Sequence, residues 1–501
     1  MTLEKNNLDF LNARRLTPAL KTLLVLMTAV MTGFMWRVRG THGWGSMWGM
    51  FAVGVMLTLV IFAFFGNRKK MTLEVLPIAV ILLGITNGGW GTLNSQMGGY
   101  LGSTVPFTGE EAVAIAEISP WSGMAAMLLL GFGWMPLWAM FIGTLFSKKE
   151  YKIWHYITLI AIFYIVVYAF QFTVAHYIAP LVNSDAVELF KDGLADRGYD
   201  YSPIVAFAKN LGSEAWFKKI PYGRNYYATV RIISYTAGAL VLSLATLIAK
   251  KDAVSAFISF AINAISAISI TLADVVMVLD SDRGFFKLKN LPGFLEGGNW
   301  SLWEYLTGFL LGFGIMLLIV CLPKKVAGGE GWFEYKMPLK NAKLYAAYSA
   351  VMTLLATFVV TTARPLGMRI AEWMVWKGWV AEEEVPSYII TAVFCVIGVI
   401  VTASIANKNI IKKEMPNLFA VRTEDFCLKA MPVYFAVTAF GYFCTGDNNI
   451  LSLPYAQMKN PSSILGLIRD GSIFIPAIML VSIVLFYVLY AVVAKKAVKR
   501  K

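Results

Sequence analysis

The sequence predicts an all-α, polytopic membrane protein of about twelve transmembrane helices, with the N- and C-termini both cytoplasmic. Three observations predict it: evenly placed lysine-rich punctuations, a lopsided charge distribution, and a composition of 58% apolar and only 15% charged residues. A soluble domain usually carries about a quarter charged residues.

The punctuations read NRKK (67–70), SKKEYK (147–152), AKKD (249–252), PKK (323–325), NKNIIKK (407–413) and the closing AKKAVKRK (494–501). Each follows an apolar run of roughly 18–25 residues, enough to cross a bilayer core. A charge at the centre of a spanning helix costs about 2.5–3.5 kcal/mol, so spans avoid charge and loops collect it. With the lysine-rich connections inside, the span cores fall at 20–36, 47–66, 73–88, 121–146, 153–179, 228–249, 253–279, 303–322, 342–362, 387–405, 430–444 and 471–494. Inner segments then hold 27 Lys and Arg against 10 Asp and Glu, and the remainder 17 against 20, which accounts for the net +14. The basic balance is therefore a positive-inside signal, and no nucleic-acid partner is implied.

No connection is long enough for a separate core, so residues 1–501 form a single integral-membrane bundle. The longest connection, 180–227, is predicted as an external loop. The polar stretch before the first span is unlike a cleaved signal peptide. Cys321, Cys395, Cys427 and Cys444 show no CxxC spacing, and His42, His155 and His176 are scattered, so neither a metal nor another cofactor is expected. Ser46 and Trp48 open span 2, and Ser301 and Trp303 open span 8, six spans later. This allows a 6+6 pseudo-repeat with halves 1–227 and 228–501. Gly308-x-x-x-Gly312 reads as a close helix-packing face.

Phosphate-binding loops, nucleophile elbows, zinc-protease and dinucleotide fingerprints are absent. Three features suggest a site. Eleven of fifteen tryptophans, Trp90 and Trp303 among them, fall on or near the predicted outer face, where a symmetrical aromatic belt would populate both. Arginine is segregated from lysine: five lie inside against 22 Lys, nine elsewhere against 8 Lys. Arg37 and Arg39 in WRVRGTHGWG stand out, because a guanidinium grips carboxylate or phosphate with a planar fork. His42 sits beside them. Finally, span 3 runs into a glycine-broken, amide-rich stretch holding Trp90, Asn94 and Gln96, which suits a hydroxylated ligand.

Within the spans, Asp274 lies in span 7, Glu304 opens span 8, and Arg231 lies near the start of span 6. Intramembrane charges mark pathways or proton relays, or pair with one another. The expected function is a transporter or flippase for a small polar, anionic or saccharide-like substrate, with the lipid bilayer as its other partner. Arg37, Arg39, His42, Trp90, Asn94, Gln96 and Trp303 are expected to bind substrate, while Arg231, Asp274 and Glu304 supply the coupling charges. The alternative is a membrane-embedded acyl or glycan transferase acting at the outer face on a lipid-linked donor.

Overall fold

Residues 17–39, 46–65, 75, 79, 82, 120–199, 201–279, 300–322, 363–407, 423–445 and 474–499 are described by the computed structural model, and every statement below concerns them. All their regular elements are helices: α1 (Pro18–Arg39), α2 (Ser46–Phe65), α3 (Pro120–Phe132), α4 (Pro136–Phe146), α5 (Ile153–Phe172), α6 (Ala175–Ala195), α7 (Pro203–Lys209), α8 (Glu214–Phe217), α9 (Gly223–Lys250), α10 (Ala253–Leu279), α11 (Trp300–Cys321), α12 (Arg364–Trp376), α13 (Glu384–Ala406), α14 (Thr423–Thr445) and α15 (Phe474–Lys499). Seven are long and apolar enough to cross a membrane, and an eighth span results if the bent pair α3–α4 is counted as one. Ten of the predicted cores coincide with described helices, whereas 342–362 and nearly all of 73–88 lie outside the described residues.

The chain divides into two compact units, Ile85–Lys289 and the flanking Met1–Gly84 with Asn290–Lys501. The predicted half boundary at 227/228 falls inside α9 and does not coincide with either junction.

In the flanking unit α1 packs along α11. The absence of side chains at Gly308 and Gly312 makes this possible: a Cβ there would come within 2.4 Å of Thr32 O and 2.6 Å of Thr28 O. Close backbone approach of this kind is how helices associate where no hydrophobic force draws them together. Lys21 Nζ donates to Val320 O (2.8 Å), covering a carbonyl that the end of α11 leaves unserved. On α14, the buried Tyr434 donates to Ala52 O of α2 (2.6 Å). Helices α12 and α13 form a hairpin in which Gly367 lies against Ser387 and Thr391. The outer surface of α13 is apolar and bare, with Val385, Tyr388, Ile389, Val396 and Ile400 all exposed. An apolar face of that extent belongs against lipid.

The inserted unit holds α3–α10. Helices α9 and α10 are joined by Lys251 and Asp252, with Lys251 in the left-handed region (φ 48°). Asp252 Oδ1 accepts from Ser255 N (3.1 Å) as the cap of α10, and its Oδ2 accepts from Tyr151 OH (2.9 Å). Burial and the Asp252 carboxylate together push the Tyr151 phenol well above its ordinary range. Two predicted features differ here. The core predicted at 153–179 ends at Phe172, where Thr173 leaves helical geometry (φ −138°, ψ −91°). The predicted loop 180–227 is folded: α6, α7 and α8 close over the start of α9 around Phe190, Phe207, Phe217, Tyr226 and Tyr227. Ser202 and Ser213 cap α7 and α8 by accepting from Val205 N and Trp216 N.

Candidate functional site

Helix α10 is apolar by composition, yet Ser255, Ser259, Asn263, Ser266 and Asp274 recur at spacings of four, four, three and eight. Those spacings place them on one helix face, and all five are fully buried. The face looks onto α3 and α4. A Cβ on Gly131 would come within 2.5 Å of Ala267 Cα, and one on Gly143 within 2.6 Å of Ser255 O. Opposite it, α9 carries its own polar row of Asn225, Thr229, Thr236 and Ser243, all buried and at matching helical intervals. The Ser243 and Ser259 hydroxyls meet across the two rows (3.2 Å), and Thr236 donates to Leu129 O of α3 (2.7 Å).

The two rows are not fully satisfied. The Ser266 hydroxyl, Asn225 Nδ2, both amide atoms of Asn263 and both carboxylate oxygens of Asp274 have no hydrogen-bond partner. A polar group removed from water without a partner costs free energy, and an unpaired ionised carboxylate costs far more. Register locates these groups. The Gly131–Ala267 and Gly143–Ser255 contacts run antiparallel, so Asn263 lies level with Met135. That is the 50° break between α3 and α4. Asp274 lies about 16 Å further along by helical rise. The Ser243–Ser259 contact sets it level with Ala228, flanked by Asn225 and Thr229.

Arg231 does not pair with Asp274. Its guanidinium donates to Tyr227 OH and Tyr235 OH (3.4 Å each) and lies over both rings. The reason is rotational: Arg231 is about 120° around α9 from Ser243, and Tyr235 on its side packs edge-on against Phe163 of α5.

In the flanking unit the α1–α11 register sets Trp303 and Glu304 level with Trp36 and Arg37. Trp36 and Trp303 are wholly buried, Glu304 is 7% exposed and Arg37 half-buried. Tyr305 beside them lies against Gly33 and packs edge-on to Phe34. Arg39 is the last residue of α1. His42, Trp90, Asn94 and Gln96 lie outside the described residues. The predicted residues thus fall into two groups: Arg37, Trp303 and Glu304 in one unit, Arg231 and Asp274 in the other. One outer arginine of the sequence has a structural role, since Arg369 pairs with Glu372 on its own helix (2.7 Å). No group of metal-ligating side chains occurs among the described residues.

Sequence reasoning missed the Ser/Asn row and the helix break. The signals were present: Asn and Ser at i, i+4, i+8 and i+11 in an apolar run, and GFGWMP (131–136), whose glycines and proline interrupt a helix.

Buried side chains of the cap behave differently from Asp274. His176 Nε2 donates to Gln171 O (2.9 Å), which leaves Nδ1 to accept from Tyr226 OH. Both ring nitrogens are served in the neutral tautomer, and burial pushes the imidazole down to about 4.

Together, the long apolar helices and the bare apolar faces define a multi-pass helical membrane protein with a polar interior face. Comparison with family models, curated proteins and solved structures found no match.

Proposed function

We propose that the chain is a carrier in the cytoplasmic membrane, a transporter or flippase for a small polar, anionic or saccharide-like solute, with Asp274 as its coupling carboxylate. The observation that supports this reading is the bare Asp274 side chain, fully buried in an apolar helix and level with the α9 polar row. A structural carboxylate at such depth would be paired. A carboxyl that meets water in one conformation and dry packing in another exchanges a proton between them, and that alternation couples a carrier to a gradient. The broken span α3–α4 beside α10 agrees with this, since carriers place their sites at discontinuous helices.

Arg37 and Arg39 supply forks for an acidic group. Trp90 and Trp303 supply stacking surface, and His42, Asn94 and Gln96 supply hydrogen bonds. Glu304 and Arg231 are the remaining charges of the coupling set.

The test uses vesicles holding the purified chain and a pH-sensitive dye. Hexoses, hexose phosphates and dicarboxylates are added in turn, with and without an imposed pH gradient. A carrier acidifies the lumen with its solute, and Asp274→Asn abolishes that signal while labelled solute still exchanges. Turnover indifferent to the gradient, with a covalent product, would instead identify the outer-face transferase.

A further inference from the structure

We infer that the break between α3 and α4 is a binding site for a dehydrated monovalent cation, with sodium the ion that fits. The site begins with backbone. At the end of α3, Gly133 N returns to Leu129 O (3.0 Å), but Trp134 N donates to Gly131 O (3.3 Å) and so forsakes Leu130. Phe132 would be served by residue 136, which is proline and has no N–H. Two carbonyls at the break therefore lose their ordinary helical donors. The side chain level with this gap is Asn263, fully buried, with neither amide atom bonded. Ser266, one turn along the same face, is likewise buried with its hydroxyl unbonded.

The chemistry of the donors selects the ligand. An amide oxygen, a hydroxyl and backbone carbonyls are hard, neutral oxygen ligands, and unwound backbone at a broken span is where carriers coordinate sodium. Asp274, the carboxylate on this face, lies eleven residues away, about 16 Å by rise. Calcium and magnesium rely on carboxylates, so a divalent ion is poorly served. A proton has no titratable group here. The glycine contacts at Gly131 and Gly143 hold α10 backbone-close to both half-helices, one on each side of the break. Sodium is the alkali cation that carriers coordinate with unwound backbone, and the comparison with potassium tests that choice.

This sodium site would act alongside the proton-coupling Asp274 of the proposed carrier, on which reading it rests, but its test needs neither gradient nor solute. Purified full-length chain in nanodiscs is melted in sodium, potassium or choline chloride and in sodium gluconate at equal ionic strength, and radioactive sodium binding is measured in parallel. Saturable stabilisation by sodium is expected, absent in choline. Asn263→Ala and Ser266→Ala should weaken sodium binding by at least the roughly tenfold that loss of a supporting partner costs a metal site. Asn263→Asp, which puts a charge on the ion, should tighten it. Ser269→Ala, whose hydroxyl already bonds Ile265 O, should change nothing. If Asn263→Ala does not fold, Ser266→Ala and Asn263→Asp carry the test.

Equal melting in all three cations would mean an internal water only and overturn the inference. Stabilisation that follows the anion would overturn it too, assigning the gap to the uncapped start of α4. Sodium binding unmoved in both weakening variants would place the ion elsewhere. Sodium binding without gradient-dependent transport would leave this site standing and remove the carrier reading, and the converse result would do the reverse.

Discussion

The α1–α11 seam and the α10 face are built alike and finished differently. Both rely on glycine where a Cβ would strike backbone, at 2.4 Å for Gly308 and 2.5 Å for Gly131. Both bury hydroxyls without partners: Thr28, Thr32 and Thr307 in the seam, Ser266 on the face. In the seam the threonine methyl groups pack while the hydroxyls are tolerated. On α10 the row continues with an amide and a carboxylate that also lack partners. A bare hydroxyl costs about 1–3 kcal/mol, whereas a bare ionised carboxylate costs several times as much. The first is a by-product of close packing. The second requires a use.

The sharpest break of this comparison is at Asp274. A carboxylate kept for function against the interest of stability should behave as a functional residue does: its loss stabilises the fold and disables the protein. Asp274→Asn should abolish gradient-driven solute movement and raise the melting temperature in detergent. A fall in folded yield together with activity would reveal a hidden partner and return Asp274 to a structural role.

Next in size come the glycines, where the two regions should respond in the same way. Gly308→Ala and Gly131→Ala each drive a methyl into backbone, which cannot swing aside as a side chain can. Each should cost about 3 kcal/mol, the upper end for overpacking, read as loss of monodisperse protein on gel filtration. Gly198 is the control. Its φ is 71° and nothing lies within 4 Å, so Gly198→Ala strains only the local backbone.

A third prediction sets Asp274 beside the titratable group whose partners are complete. His176 is held down to about 4 in the folded cap, against about 6.5 when unfolded. The unfolded chain therefore binds the extra proton between those values, and cap stability falls as pH drops below about 6.5. The loss should reach about 2 kcal/mol at pH 5 and be absent above neutrality. Hydrogen exchange of α6 and α7 against pH measures it, and His176→Gln should flatten the profile. A profile that is flat in the wild type would mean the imidazole is not sealed as the structure shows.

How legible these regions were follows from the kind of signal each carries. Helical spans were readable because lysine runs and apolar lengths are local properties of the sequence. The Gly308–Gly312 seam was readable because a four-residue glycine spacing has one common meaning. Asp274 was visible as a carboxylate in an apolar run, but its lack of a partner was not. Arg231 was the arginine the predicted spans offered as a partner, and only the rotation of α9 directs it to Tyr227 and Tyr235. The α3–α4 break was hidden within an unbroken apolar stretch, since hydropathy does not register a turn at GFGWMP. The cap was read as a loop because its short helices are nucleated by serine caps and held by aromatic contacts distant in sequence, such as Phe190 stacked on Tyr226 (4.3 Å).

The smallest predicted effect decides whether the seam is finished in the way supposed. Thr307 is buried on α11 with an unbonded hydroxyl, in register with the α1 threonines. Valine has nearly the same shape and no polar atom, so Thr307→Val should relieve an unsatisfied group and raise stability by about 1 kcal/mol. Solute movement should be unchanged. The matching change on the face, Ser266→Ala, should also be mildly stabilising in choline, yet forfeit the sodium-dependent part of the melting temperature. If Thr307→Val instead lowered activity without loss of folded protein, the seam hydroxyls would contact solute or ion, and the division between a structural seam and a functional face would fail. If it destabilised the fold, the hydroxyl has a partner such as a buried water, and polar satisfaction would join glycine in holding α1 to α11.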